Sequence, residues 1–306
     1  MNGDIVTSKE AQKNLVYLYM GDVNECSRPT YLFALNKVAR KIGAADAYSF
    51  DWSKLRNEHT TMIKRWLLET GKTTSAHKTL AAVKGLLEKA FDLGLMNADD
   101  YLRAIKPCKV KVNKQLRAAS GRMLTEVELD ALLATCDKGS PARAARDKAI
   151  ISIFRQVGTR LAEVSNLSLA DYAPEFTTEA GRLVCHGKGN KDRTLYIKNG
   201  TRKALNEWIQ IRGIEPGPLF YAILKSDIPF PRRVGPTSIW HMLRERGKRA
   251  NIAHFTPHDL RRSFCSRLLD EGVDISTIAD LMGHTDPSIT KGYDRRGEAR
   301  KAAAIR

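Results

Sequence analysis

Leu183-Val184-Cys185-His186-Gly187-Lys188-Gly189-Asn190-Lys191-Asp192-Arg193-Thr194-Leu195-Tyr196-Ile197 is the stretch that decides the fold class. Its two ends read as strands, and the segment from Gly187 to Asp192 supplies the glycine and asparagine conformations of a tight turn. Lys188 then sits near the tip of an antiparallel hairpin. On either side of the hairpin the pattern is helical. Downstream, Thr256 and Asp259 can cap a helix running from Asp259 to Glu271, Asp274 caps Ile275 to Met282, and Gly283 ends that second helix. Asp286 caps a further helix with Pro287 at its first position, and Tyr293 lies almost two turns along it. Upstream, Thr125-Glu126-Val127-Glu128 forms a capping box with Leu124 and Leu129 as its hydrophobic staple, and a domain starts there. The chain reads as mainly α with a small antiparallel β-sheet.

Farther upstream, residues 1–105 read as a helical domain. Thr30 to Ile42 places Leu32, Leu35, Val38, Ala39 and Ile42 at helical spacing before Gly43. Ser75 to Leu93 does the same with Leu80, Val83, Leu87, Ala90 and Phe91 before Gly94. On this second helix His77 and Lys84 share a face, with Lys78 beside them. Such a basic stripe suits a DNA backbone and suits plain solvent equally well. Residues 106–122 carry Lys106, Lys109, Lys111, Lys114, Arg117 and Arg122, with Pro107 and no acid, and read as an extended basic linker. Residues 123–306 form the second domain.

The 306 residues hold 51 basic and 34 acidic side chains, a net charge of +17, and the pI is near 9.7. Residues 1–122 have 21 basic against 12 acidic side chains (+9), and residues 123–306 have 30 against 22 (+8). A positive excess in both halves points to a polyanion gripped from two sides, and nucleic acid is the main candidate. No apolar run approaches the roughly 18 to 20 residues that span a bilayer. The N-terminus lacks the order of a signal peptide, so a cytoplasmic, DNA-associated location is expected. Five cysteines without a C-x-x-C pair argue against both a disulfide framework and a zinc cluster.

Five elements then occur in order: Gly158-Thr159-Arg160-Leu161-Ala162-Glu163-Val164, the Gly187 to Arg193 turn, His258-Asp259-Leu260-Arg261-Arg262-Ser263, Leu281-Met282-Gly283-His284, and Tyr293. Arg261 and His284 are 23 residues apart, and His284 and Tyr293 are nine apart. A lone G-x-R-x-x-E or H-x-x-R is weak, but five elements at this spacing are specific. Together they resemble the tyrosine recombinase (phage integrase) family, with the spacing of its Xer-type members. The resemblance covers residues 123 to 295 well. The N-terminal half resembles the family's helical, SAM-like core-binding domain only loosely. It implies a two-domain DNA clamp that cuts and rejoins double-stranded DNA at specific recombination sites, with no cofactor and no metal, as a homo-oligomer that is a tetramer on DNA.

The chemistry explains why these residue types belong together. Attack on a phosphodiester builds negative charge on the non-bridging oxygens. Arg160 and Arg261 can donate bidentate hydrogen bonds there and stay charged at any physiological pH, and His284 adds a donor. A phenol titrates near pH 10, so Tyr293 as nucleophile needs a proton acceptor and a positive field. The resemblance assigns His258 as general base and Glu163 as support for the cluster. It assigns Lys188 as the general acid that protonates the leaving 5′-oxygen, with Lys191 three residues away as the alternative. Lys191 and Arg193 otherwise read as phosphate contacts or surface charge.

Blander readings stand beside these. Tyr293 could pack a helix, Arg160 and Glu163 could form a surface ion pair, His258 could help to cap its helix, and His284 could bind loose helix-end carbonyls. Two other functions fit the same residues: a type IB topoisomerase-like nicking and rejoining enzyme, and a catalytically silent DNA-binding protein on the same fold. The resemblance further implies that the tail from Asp294 to Arg306, too short to be a stable helix alone, packs on a neighbouring protomer through Ala303 and Ile305, against the alternative of a frayed basic end.

Overall fold

The computed structural model describes residues 8–71, 73–109, 121–174, 180–187, 192–284, 289–290 and 292–293. The chain divides into two compact units, Met1–Lys114 and Gln115–Arg306.

In the first unit, α1 (Ser8–Asp22), α2 (Arg28–Lys41), α3 (Asn57–Thr70) and α5 (Ala98–Ile105) pack around α4 (Thr73–Asp92). The core face of α4 carries Ala76, Leu80, Val83, Leu87 and Ala90, the three-and-four spacing that a helix needs to bury one stripe. Leu80, Leu86 and Leu87 have no exposed surface. Truncating one such leucine costs about 2–5 kcal/mol, a large part of a domain's total stability. Gly85 lies where α1 crosses: a Cβ there would come within 2.4 Å of the Tyr19 hydroxyl. Gly43 and Gly94 end α2 and α4 in positive-φ conformations, as their positions require.

Lys106–Cys108 differ from the extended linker that their charge suggests. They form a 3-10 turn directly after α5, because Cys108 is buried and the Lys64 ammonium donates to the Lys109 carbonyl. Local apolar burial prevails over charge patterning there. Lys111 and Lys114 lie outside the described residues.

In the second unit, α6 (Glu126–Ala134) starts on the Thr125–Glu128 capping box, with Leu124 and Leu129 buried in one core. The long α7 (Pro141–Val157) runs through the middle and packs against α9 (Asn199–Arg212) and α11 (Pro257–Asp270). Its buried face includes Ile150, Ile151, Ile153 and Phe154. The hairpin pairs β2 (Ala180–Cys185) with β3 (Arg193–Lys198), Leu183 facing Leu195 and Cys185 facing Arg193. β3 alternates buried Leu195 and Ile197 with exposed Thr194 and Tyr196, the period of a half-buried strand. β1 (Tyr172–Ala173) adds a third antiparallel strand to that sheet. A second sheet pairs β4 (Tyr221–Ile223) with β5 (Pro229–Arg233). Both are too short, and β5 too rich in proline, to show in a periodicity reading. α8 (Leu161–Asn166), α10 (Pro236–Arg249) and α12 (Ile275–Met282) complete the described elements. The four cysteines whose surroundings are described, Cys108, Cys136, Cys185 and Cys265, are free and buried.

Candidate active site

The C-terminus of α12 organises the site. A helix leaves its last carbonyls without partners inside the helix, and its C-terminal end is electronegative. Here three successive carbonyls each accept from a different arginine. Leu281 O accepts from Arg193 Nε at 3.1 Å, Met282 O from Arg261 Nη2, and Gly283 O from Arg160 Nη2 at 3.1 Å. Gly283 makes this row possible by turning the chain at φ 60°. His284 follows it directly.

Each arginine is fixed from a second side. α7 ends at Gly158 (φ 57°), whose carbonyl accepts from Arg261 Nη1 at 2.7 Å. Arg160 stands at the N-cap of α8, and Glu163 takes the third helical position. The Glu163 carboxylate accepts from the Arg160 backbone N–H at 2.6 Å and from Arg160 Nη1 at 2.8 Å. Its two oxygens also accept from Arg193 Nη1 and Nη2 at 2.9 and 2.7 Å. Burial pushes the Glu163 carboxyl up, but the two arginines outweigh that and bring it down to about 2. Glu163 is therefore a permanent anion inside a ring of cations.

α11 starts on a Thr256–Asp259 capping box and carries His258, Arg261 and Arg262 at three-and-four spacing on one face. Tyr293 is buried, and its hydroxyl is hydrogen-bonded to His258 Nε2 at 3.1 Å. The Arg262 guanidinium lies 5.2 Å from the centre of the Tyr293 ring, and the His284 ring stacks on that ring at 6.0 Å. Arg261 Nη2 donates to His284 Nε2 at 3.0 Å, which leaves His284 Nδ1–H to donate to Thr290 Oγ1 at 2.8 Å. Burial, with Arg261 and Arg160, lowers the His284 pKa to about 4. In this arrangement His284 is a neutral acceptor for Arg261, and its one N–H is taken up by Thr290. Burial lowers the His258 pKa too, helped by Arg262 and Arg261. Burial raises Tyr293, against the pull of Arg261 and Arg262. A neutral imidazole beside a protonated phenol is the resting pair that a general base and its nucleophile require.

Arg160, Glu163, His258, Arg261, His284 and Tyr293 thus come together as their motif order implies. Lys188 and Lys191 lie outside the described residues, as do the Asp286–Pro287 helix start and the tail from Asp294. Arg193 departs from the expectation of a phosphate contact. Its side chain is only 11% exposed and its donors end on Glu163 and the Leu281 carbonyl. Sequence reading also missed Thr290, the partner of His284, for which no motif gave a signal. On the first unit His77 and Lys78 are exposed along α4 and Lys84 is half-buried, while Lys109 is exposed. Lys37 and Lys41 lie over the Trp66 ring at 5.1 and 5.6 Å. Among the described residues no helix is long and apolar enough to cross a membrane, and no three His, Cys, Asp or Glu residues group as metal ligands would.

Comparison with known proteins points the same way. The profile of the phage integrase family matches residues 122–300. A tyrosine recombinase XerC of Pseudomonas putida (strain W619) is 31% identical over 223 residues, covering 72% of this chain and 68% of that protein. A tyrosine recombinase XerA of Pyrococcus furiosus is 31% identical over 185 residues, 60% of each. Among solved structures, a XerH site-specific recombinase bound to a palindromic difH substrate superposes with a TM-score of 0.69 at 15% identity, covering 99% of this chain and 98% of that one. The Tn1549 transposon integrase in complex with circular intermediate DNA gives 0.64 at 15% identity, covering 95% and 99%. At these identities the structural likeness is one of fold.

Proposed function

The chain belongs to the phage integrase family of tyrosine recombinases and is a site-specific DNA recombinase, and from that premise we propose that Tyr293 is its covalent nucleophile in a site formed by Arg160, Lys188, His258, Arg261 and His284. The observation that carries this reading is the Tyr293 hydroxyl held 3.1 Å from His258 Nε2, inside a cluster of arginines. The Tyr293 oxygen forms a bond to phosphorus as its proton passes to His258. The bond from phosphorus to the 5′-oxygen breaks, and Lys188 delivers a proton to that oxygen. The products are a 3′-phosphotyrosine and a free 5′-hydroxyl. Attack by a second 5′-hydroxyl reverses each step, so the phosphoester bond is conserved and no ATP is consumed. Arg160 and Arg261 neutralise the charge that builds on the non-bridging oxygens, each contributing about 3 kcal/mol if it acts like a preorganised oxyanion donor.

The helical first unit, with His77, Lys78, Lys84 and Lys109 and the linker lysines Lys111 and Lys114, serves as the core-binding domain on double-stranded DNA, inside the cell and away from membranes. The active assembly is a tetramer on two sites, with the tail beyond Tyr293 packed on a neighbouring protomer. The test uses a pool of nicked suicide duplexes with a randomised core. Wild-type protein should yield SDS-resistant adducts, also in EDTA. Tyr293→Phe should bind DNA and yield none. Adduct formation by Tyr293→Phe would remove Tyr293 from the role.

A further inference from the structure

Arg193 joins three parts of the site that are far apart in the chain. It is the first residue of β3, opposite Cys185, and so stands where the chain re-enters the sheet after the segment that includes Lys188. Its Nη1 and Nη2 hold both oxygens of Glu163, the residue that also fixes Arg160. Its Nε holds Leu281 O, the first of the three carbonyls that grip Arg193, Arg261 and Arg160 in turn. The packing leaves no slack: a Cβ on Gly283 would lie 2.9 Å from Arg193 Nη1. Only a planar guanidinium can supply three donors in this fork, so a lysine cannot replace it.

We propose that Arg193 is a positioning residue for strand cleavage, holding Glu163 and the end of α12 so that Arg160, Arg261 and His284 converge on one phosphate. It acts through these groups and touches no DNA. The proposal rests on the tyrosine-nucleophile reading above. It also separates two effects that a basic residue beside DNA can have: binding the polyanion, and shaping the site that acts on it.

The experiment compares full-length wild type, Arg193→Lys and the double variant Arg193→Gln/Glu163→Gln on a suicide duplex recovered by covalent capture. The double variant removes both charges together, which avoids leaving a buried carboxylate unpaired. Arg193→Lys keeps the charge and supplies a second folded protein for the measurement. Both variants should bind DNA like wild type with an unchanged salt dependence, and cleave at saturating DNA about 100-fold more slowly, the cost of misplacing one preorganised donor. A 5′-bridging phosphorothiolate should not restore either variant, because the defect lies with the arginines and not with protonation of the leaving group.

Wild-type cleavage rates in both variants would overturn the proposal. So would restoration by the phosphorothiolate, which would confine Arg193 to the Lys188 turn. A salt slope lowered by about 0.9, one phosphate contact, with cleavage at saturation intact would return Arg193 to the DNA surface. Failure of wild-type protein to form any adduct would instead break the underlying reading and is distinguishable from all of these.

Discussion

Both units carry a net positive charge, but they place it differently. Among the described residues, the first unit buries only hydroxyls as polar side chains: Ser53, Thr60 and Thr79. The second buries Arg146, Arg212, Arg246, Arg261 and Arg262, together with Asp147, Glu163 and Asp259. Taking a charge out of water costs several kcal/mol unless partners replace the lost hydration. An exposed arginine bears no such cost and positions nothing. The contrast shows where the fold needs charge fixed in direction: a general attraction for a polyanion works from mobile surface groups, whereas a transition state requires donors already in place.

The comparison breaks first at Arg261. Arg261→Ala should lower single-turnover cleavage by about 10²–10³-fold at saturating DNA, as expected for one preorganised donor. Arg65→Ala, in the exposed pair with Glu69 on the first unit, should leave both cleavage and melting temperature unchanged. Equal effects from the two would erase the distinction between buried and surface arginines.

A second expectation concerns stability away from the site. Asp147 lies between two buried arginines, accepting from Arg146 Nε and Nη2 on one oxygen and from Arg246 Nε and Nη2 on the other. Asp147→Ala leaves both cations uncompensated and should cost about 3–5 kcal/mol, read from denaturant unfolding. The triple variant with Arg146 and Arg246 replaced by methionine should recover most of that loss. If the single variant is as stable as wild type, the buried cluster is not what organises this part of the unit.

A third expectation follows from His284, whose folded pKa of about 4 lies below its ordinary 6.5. The unfolded chain takes up its proton first as pH falls. This contribution to stability is therefore complete above about 6.5 and is lost progressively down to about 4, with no further loss below. A DNA phosphate at Arg261 supplies the missing negative charge, so His284 should gain a proton on binding. Titration calorimetry near pH 5.5 in buffers of different ionisation enthalpy should detect that uptake in wild type and not in His284→Ala, within the window from about 4 to 6.5. His258, lowered in the same direction by burial and its arginines, should let cleavage persist to a lower pH than an ordinary histidine base would allow.

The smallest effect is expected where charge is only a surface property. Replacing Lys109, Lys111 and Lys114 with glutamine should flatten the salt dependence of DNA binding by about 0.9 in log–log slope per lost contact, for every sequence alike. Cleavage at saturating DNA should not change. A cleavage defect there would mean that the linker helps to shape the site.

Much of this protein is local and was readable from its sequence. The Thr125–Glu128 box, the Asp274 cap and the Gly43, Gly94 and Gly283 stops depend on neighbours within a few residues. The motif order therefore placed His258 and Arg261 on one helix and His284 just past the end of the next, whereas Tyr293, expected inside a helix, lies in a turn. Which donor meets which acceptor is another matter. Arg160 reaches Gly283 across 123 residues, Arg261 reaches Gly158 across 103, and Tyr293 reaches His258 across 35. No periodicity carries information over such spans. Arg193 shows the limit: beside two lysines in a basic turn it reads as a phosphate contact, yet packing of β3 against α12 brings it to Glu163, 30 residues away. Sequence determined which residues carry charge and where each helix stops. Tertiary packing alone decided which of those charges lose their water, because desolvation depends on what surrounds a group in space and not on its neighbours in the chain.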